Sequence, residues 1–142
     1  MRTGTTLLEL VVALLLLGVL VGLSLPPVAR LRDRVSVLEA RERFVALVRE
    51  TRSVAIERGG ARLFLDAENT TAWLVAGGDT IRRDQWTTAG RRSVRITARL
   101  GGAALPFGPA GLGQFTSTTI TFIRGTEEAA AVVSSYGRVR RR

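Results

Sequence analysis

Residues 4–27 read GTTLLELVVALLLLGVLVGLSLPP. From residue 7 to residue 25 the only charge is Glu9, and residues 10–23 carry none. A hydrocarbon core of roughly 30 Å takes about 20 helical residues, so this run has nearly the length of a membrane crossing. Leu and Ala favour helix here, and Gly18 and Gly22 weaken it slightly. The carboxylate at the edge is the feature that needs a reason. A lone acid costs about 2.5–3.5 kcal/mol at the centre of a span, and less at the interface. The cost falls further beside a cation. Arg2 is the only cation upstream. An amino terminus created just before Glu9 is a far better partner, and a carboxylate also suits the first turn of a helix. A cleaved secretory signal fits poorly: the run exceeds about 15 residues, and Pro26 and Pro27 stand where no Ala-x-Ala site is found. A plain membrane anchor leaves Glu9 unexplained.

The chain has 142 residues, enough for one domain beyond the apolar run. It contains neither cysteine nor histidine. Disulfides, thiol chemistry and the commonest neutral-pH base are therefore excluded, and a zinc site would have to rest on carboxylates alone. All 21 basic residues are arginine, against 12 acids, for a net charge of +9. The excess is unevenly placed: residues 82–142 hold eleven arginines and three acids, net +8. Such asymmetry points to a basic surface in the last part of the chain.

After Pro26 and Pro27, which are expected to interrupt or kink the helix, a helical pattern resumes to residue 58. Leu31, Val35 and Leu38 form an apolar stripe, continued by Phe44, Val48, Thr51 and Ala55. Gly59 and Gly60 end it. The remainder reads as strands at 61–65, 71–76, 91–100, 118–123 and 129–134, with a short last one near Val139. In the third of these, Val94, Ile96, Ala98 and Leu100 alternate with Arg91, Ser93, Arg95, Thr97 and Arg99. Turns are expected at 77–79 and 125–127. Residues 101–114, GGAALPFGPAGLGQ, read as an irregular loop pinned to the core by Phe107. An antiparallel sheet with one face on a helix fits this order, an α+β class.

Gly4 followed by an apolar helix with Glu9 five residues on resembles the signature of type IV pilins and type II secretion pseudopilins. The resemblance implies cleavage by a prepilin peptidase between Gly4 and Thr5, and assembly in which Glu9 neutralises the terminal amine of a neighbouring subunit. It also implies a proline, here Pro26, where the helix loosens in a filament. Thr5 departs from the usual apolar first residue, which bears on its N-methylation. Further on, Phe107-Gly108-Pro109-Ala110-Gly111 and Gly137-Arg138-Val139-Arg140 resemble elements of the GspH/FimT group of minor pilins. That group implies a pilin-like fold: a long N-terminal helix, transmembrane in its first half, packed on a small antiparallel β-rich domain. The implied divisions are a leader at 1–4, a membrane and assembly helix at 5–29, a periplasmic amphipathic helix at 30–59 and a globular part at 60–142. Implied partners are the prepilin peptidase, other major and minor pilins or pseudopilins, and an assembly platform in the bacterial inner membrane. The positive-inside rule alone would put Arg30, Arg32 and Arg34 in the cytoplasm. The resemblance implies the reverse.

Outside the helix the acids form no catalytic motif, and Ser134 and Ser135 have no histidine to activate them. No enzyme activity and no cofactor are expected. Asp66, Glu68 and Asn69 read as a hydrated turn rather than a calcium loop. Arg138, Arg140, Arg141 and Arg142 form a basic tail, and Arg91, Arg95 and Arg99 a stripe on one strand face. If neighbours, they make one surface suited to polyanions, with Tyr136 available to stack on a base. Three readings follow: a pseudopilin of a secretion machine, a FimT-like pilin that binds double-stranded DNA during transformation, and an unrelated membrane protein with a β-rich binding domain.

Overall fold

The computed structural model of the chain describes residues 6–86, 94–98 and 104–142, and the side chains of all of these except 23–27. A single helix, α1, runs 52 residues from Leu7–Arg58. Thr6 caps it: the Thr6 backbone is extended, and its Oγ1 accepts a hydrogen bond from the Glu9 N–H at 3.3 Å. Glu9 thus occupies the acidic position of a capping box, in the first helical turn. Gly59, in the left-handed conformation at φ 76°, terminates the helix, one residue after Arg58 in the last turn. The backbone stays helical through Pro26 and Pro27, so the expected interruption is absent and the two expected helices are one.

Among the described residues eight strands follow: β1 (Ala61–Asp66), β2 (Thr71–Ala76), β3 (Asp79–Gln85), β4 (Arg95–Ala98), β5 (Ala104–Phe107), β6 (Thr118–Arg124), β7 (Glu127–Val133) and β8 (Val139–Arg141). They form two antiparallel four-stranded sheets, ordered β3-β2-β1-β5 and β4-β6-β7-β8. Both sheets pack on α1, the first through β1, β2 and β5 and the second through β6 and β7. The alternation read in residues 94–98 is present: Val94 and Ile96 are buried while Arg95 and Thr97 are exposed. The flanking residues of that strand lie outside the described residues.

Three expectations need correction. Residues 101–114 are not one loop, because Ala104–Phe107 pairs with β1. Glu127, expected to end a turn, instead opens β7 opposite Arg124. Most consequentially, the apolar stripe divides. Phe44, Val48, Thr51 and Ala55 are buried, joined by Val37, Ala40 and Leu47, whereas Leu31, Val35 and Leu38 are exposed. Among the described residues the buried face begins at Val37, one turn above Asp33, against which the hairpin turn at Gly125 sits.

The core joins that helical face to Leu63, Leu74 and Leu105 of the first sheet and Ile120, Phe122, Ala131 and Val133 of the second. Phe122 stands between Phe44 and Trp86, at ring-centroid distances of 5.7 and 6.5 Å, and so ties helix and both chain halves together. Thr51, a fully buried helical polar residue, donates its hydroxyl to the Leu47 carbonyl at 2.7 Å. Among the described residues three ion pairs fasten sheet to helix: Arg82 to Glu50 at 2.8 Å, Arg124 to Asp33 at 2.8 Å and Arg141 to Glu42 at 2.9 Å.

Candidate assembly and binding surfaces

The N-terminal stem is bare. Every described side chain from Leu7 to Gly22 is exposed, and leucine and valine are so closely spaced in this run that no polar face remains. Glu9 is exposed at the start of this stem. Gly4 and Thr5 lie outside the described residues, and Pro26 is placed by its backbone alone. Among the described residues, no helix is long and apolar enough to cross a membrane.

The two short motifs near the C-terminus meet in space. Gly111 and Gly137 both have positive φ, 68° and 71°. A Cβ on Gly137 would stand 3.0 Å from the Gly111 carbonyl oxygen and 3.5 Å from Cδ of Arg52 on α1. A Cβ on Gly111 would meet Ile56 and Arg52 at 2.9 and 3.0 Å. The Gly113 N–H donates to the Ser135 carbonyl at 2.9 Å, which locks loop to turn. Phe107 is buried, as expected, and its ring meets Phe115 edge-on at 5.4 Å. The glycine of the Gly-Arg element is therefore a packing residue.

The arginines behave differently from one another. β4 and β8 are opposite edges of one sheet, so Arg95 and the basic tail are three strand spacings apart, about 14 Å. Arg91 and Arg99 lie outside the described residues. Arg141 turns toward α1: its Nε donates to both Glu42 oxygens at 2.9 and 3.0 Å, and its second guanidinium nitrogen donates at 2.9 Å. Those hydrogen bonds hold the Glu42 carboxyl below the usual glutamate range and push the Arg141 guanidinium up. Arg140 pairs across β7 with Val132, on the face away from the helix, and is exposed together with Arg138 and Arg142. Tyr136, 71% exposed, sits in the turn between β7 and β8.

Asp66 is committed to its turn. Its carboxylate accepts from the Glu68 and Asn69 N–H groups, both at 3.0 Å, and from the Asn69 side chain at 2.7 Å. These bonds hold its carboxyl below the usual aspartate range, with the Asn69 side chain the largest cause. Among the described residues no group of acids is placed to hold a metal ion. A cleft of about 400 Å³ is lined by backbone-rich turns such as Gly60, Gly78 and Gly108 with Arg62 and Gln114, and brings no nucleophile to a base.

Sequence reading missed the Arg124 site. Arg124 is buried, its Nη1 donates to Ser36 Oγ at 2.7 Å, and its Nε lies 2.8 Å from Asp33 Oδ1. That Nε has no hydrogen-bond partner of good geometry, so the contact with Asp33 is Coulombic rather than a directed bond. The partners are 88 or more residues apart, and no local spacing signals them. Because Gly137 is fixed by backbone conformation and by contact with Gly111, Gly137→Ala is expected to lower domain stability by about 1–3 kcal/mol in urea unfolding. Arg138→Gln is expected to change it by less than about 0.5 kcal/mol.

No protein-family model matches the sequence, and no curated protein matches it. Solved structures do. The type IV minor pilin FimU of Pseudomonas aeruginosa strain PAO1 matches in one crystal form with a TM-score of 0.63 at 16% identity, over 78% of this chain and 90% of that one. A second crystal form of FimU matches with a TM-score of 0.60 over 74% of this chain. The minor pseudopilin EpsH from the type 2 secretion system of Vibrio cholerae matches with a TM-score of 0.50 at 14% identity, over 73% of this chain and 93% of that one. The long helix on an antiparallel β-domain is thus the pilin-like α+β fold of minor pilins and minor pseudopilins, the GspH/FimT-like fold that the sequence resembles.

Proposed function

We propose that this chain is a minor pseudopilin, a non-enzymatic structural subunit of a type II secretion pseudopilus. The observation that carries the reading is the stem: one continuous helix holds a folded domain at its C-terminal half and exposes the apolar residues 10–22 at its N-terminal half. Such a surface is stable only when lipid or neighbouring helices cover it. In sequence the run from residue 7 to residue 25 supplies about 28 Å of helix at 1.5 Å per residue, against a hydrocarbon core of roughly 30 Å. It crosses the bilayer only with Glu9 at one interface. The β-domain then stands on the far side, in the periplasm, with the N-terminus cytoplasmic.

In this reading a prepilin peptidase cuts between Gly4 and Thr5. The mature terminus is then an ammonium a few residues before Glu9. Within one subunit, the Thr6 cap holds Glu9 in the first turn of the helix, so the carboxylate is carried on an ordered backbone. A neighbour displaced along the helix axis brings its own ammonium to that place, and the pair removes the penalty of carrying Glu9 into an apolar bundle. The apolar stem supplies affinity, and the charge pair supplies register. Other pilins or pseudopilins and the inner-membrane assembly platform are the partners. FimU and EpsH share the fold and belong, respectively, to a pilus and to a secretion system. The likeness to both is consistent with a filament subunit and leaves the choice of machine to experiment.

A second reading is a FimT-like pilin that binds duplex DNA. It is favoured by three exposed arginines, Arg138, Arg140 and Arg142, beside exposed Tyr136, with Arg141 excluded from the set by its bond to Glu42.

Two measurements test these readings, the first the assembly that both share and the second DNA binding. Glu9→Gln is expected to reduce the subunit recovered in sheared filaments by about tenfold, the loss of one charge-assisted contact of roughly 1.5–3 kcal/mol partly offset by packing. Undiminished incorporation contradicts the assembly reading. If DNA is the ligand, Arg138→Gln with Arg140→Gln weakens binding and reduces the slope of log K against log salt by about 2. Absence of binding at about 50 mM salt removes the DNA reading.

A further inference from the structure

The exposed stripe just beyond the proline pair has a pattern of its own. Val28, Leu31, Val35 and Leu38 are 63%, 63%, 56% and 36% exposed. Spaced by three, four and three residues, they line one helical face. At 100° per residue that face lies roughly opposite the buried one formed by Val37, Phe44, Val48 and Ala55. The sheets therefore do not cover it. Arg34 and Arg32 fall about 80° to either side of its centre, and Arg30 lies farther round. All three are exposed, and none of their guanidinium groups has a hydrogen-bonded or ion-pair partner among the described residues; Arg34 and Leu38 share a cleft with Glu127, Glu128 and Arg142. The acids of the same segment are held elsewhere: Asp33 faces Arg124, and Glu39 pairs with Arg43. One turn past Leu38 the stripe meets Glu42, which Arg141 and Arg41 hold. The segment is thus an apolar face with an exposed arginine on each flank and a charged stop at its upper end.

We propose that residues 28–38 form a lipid-contacting surface, on which the unassembled subunit rests its domain against an anionic phospholipid bilayer. The inference rests on membrane insertion of the stem as read above. An apolar strip bordered by arginines is the form that amphipathic helices take in the plane of a membrane interface. The strip is continuous along α1 with the apolar stem, so it enters the interface where the stem leaves the hydrocarbon. A second copy is a poorer occupant, because apposing two strips brings six unpaired arginines together. A helix standing upright would lift Leu38 about 20 Å above residue 25, beyond a headgroup layer of roughly 5–7 Å. Contact along the whole strip therefore requires the helix to lean. Pro26 and Pro27 permit this, since neither can donate a backbone hydrogen bond. The arginines that oppose the positive-inside rule then have a use on the far side, as ligands of lipid phosphate.

The chain has no cysteine, so single labels are clean. Full-length protein carrying Val35→Cys, labelled with an environment-sensitive fluorophore, is reconstituted into vesicles containing a nitroxide lipid as quencher. One set is pure phosphatidylcholine and the other holds about 30% phosphatidylglycerol. Leu14→Cys reports insertion of the stem in both. The expected result is lipid quenching at residue 35 about threefold greater with phosphatidylglycerol, reduced to the phosphatidylcholine level by Arg32→Gln with Arg34→Gln, at constant quenching of residue 14. Free inorganic phosphate at equal charge is expected not to reproduce the effect; if it does, the arginines bind phosphate in solution and the bilayer assignment fails. Quenching at 14 but equal water exposure at 35 in both lipids overturns the inference and leaves membrane insertion intact. Protection at 35 that follows protein density rather than lipid charge also overturns it, in favour of a second copy. No quenching at 14 overturns the insertion reading itself.

Discussion

One helix has to satisfy two solvents. Between Val37 and Ala55 its inner face is sealed by two sheets, and there Phe44, Leu47 and Val48 have no exposed surface. Below Asp33 every described side chain of the same helix is exposed, and its leucines face outward. The domain can therefore be stable only if the short sealed segment suffices for the whole fold. The packing shows how it does. Phe44 meets Phe122, Phe122 meets Trp86, and Leu63, Leu74 and Leu105 close the other side. A core residue of this kind contributes a few kcal/mol, comparable to a large share of a small domain's stability.

Charge places the sheets along the helix more than it strengthens the core. Arg124, Arg141 and Arg82 reach from three different strands to Asp33, Glu42 and Glu50, which lie about two turns apart along α1. Arg124 is the buried member, and its pairing fixes the lower edge of the domain at the Gly125 turn. The other two are largely exposed, so each adds little stability and mainly defines orientation. At the upper end, Gly111 and Gly137 let loop and turn close on Arg52 without a side chain between them. Helix, loop and C-terminal hairpin are thus locked at both ends. The outward faces of helix and sheet remain available for assembly.

Periodicity exposed much of this. Residues 71–76 read as a strand and are one, Gly59 ends the helix, and alternation in 94–98 separates Val94 and Ile96 from Arg95. β3 escaped because DTIRRDQ is an edge strand with a single apolar residue, Ile81, so no alternation marks it. β5 escaped because four residues with Pro106 among them, next to glycines, look like loop, and only pairing with β1 makes them a strand. The helix was harder in a different way. Its segment from Val28 to Val48 carries apolar residues on two faces, and period alone cannot say which face the sheets cover. The long-range ion pairs left no sequence signal at all. At the candidate sites, Glu9 was visible as an anomaly in an apolar run, but its Thr6 cap was not, and the diversion of Arg141 to Glu42 required the fold.

The central claim is that the sealed segment alone holds the domain, while the exposed stripe below it is free for other contacts. Urea unfolding of the full chain in detergent micelles tests this directly, with Phe44→Ala compared against Leu31→Ser and Val35→Ser. A loss of about 3–5 kcal/mol for the first and less than about 0.5 kcal/mol for each of the others is the predicted result. Comparable losses at all three positions would contradict it, since the stripe would then be part of the core.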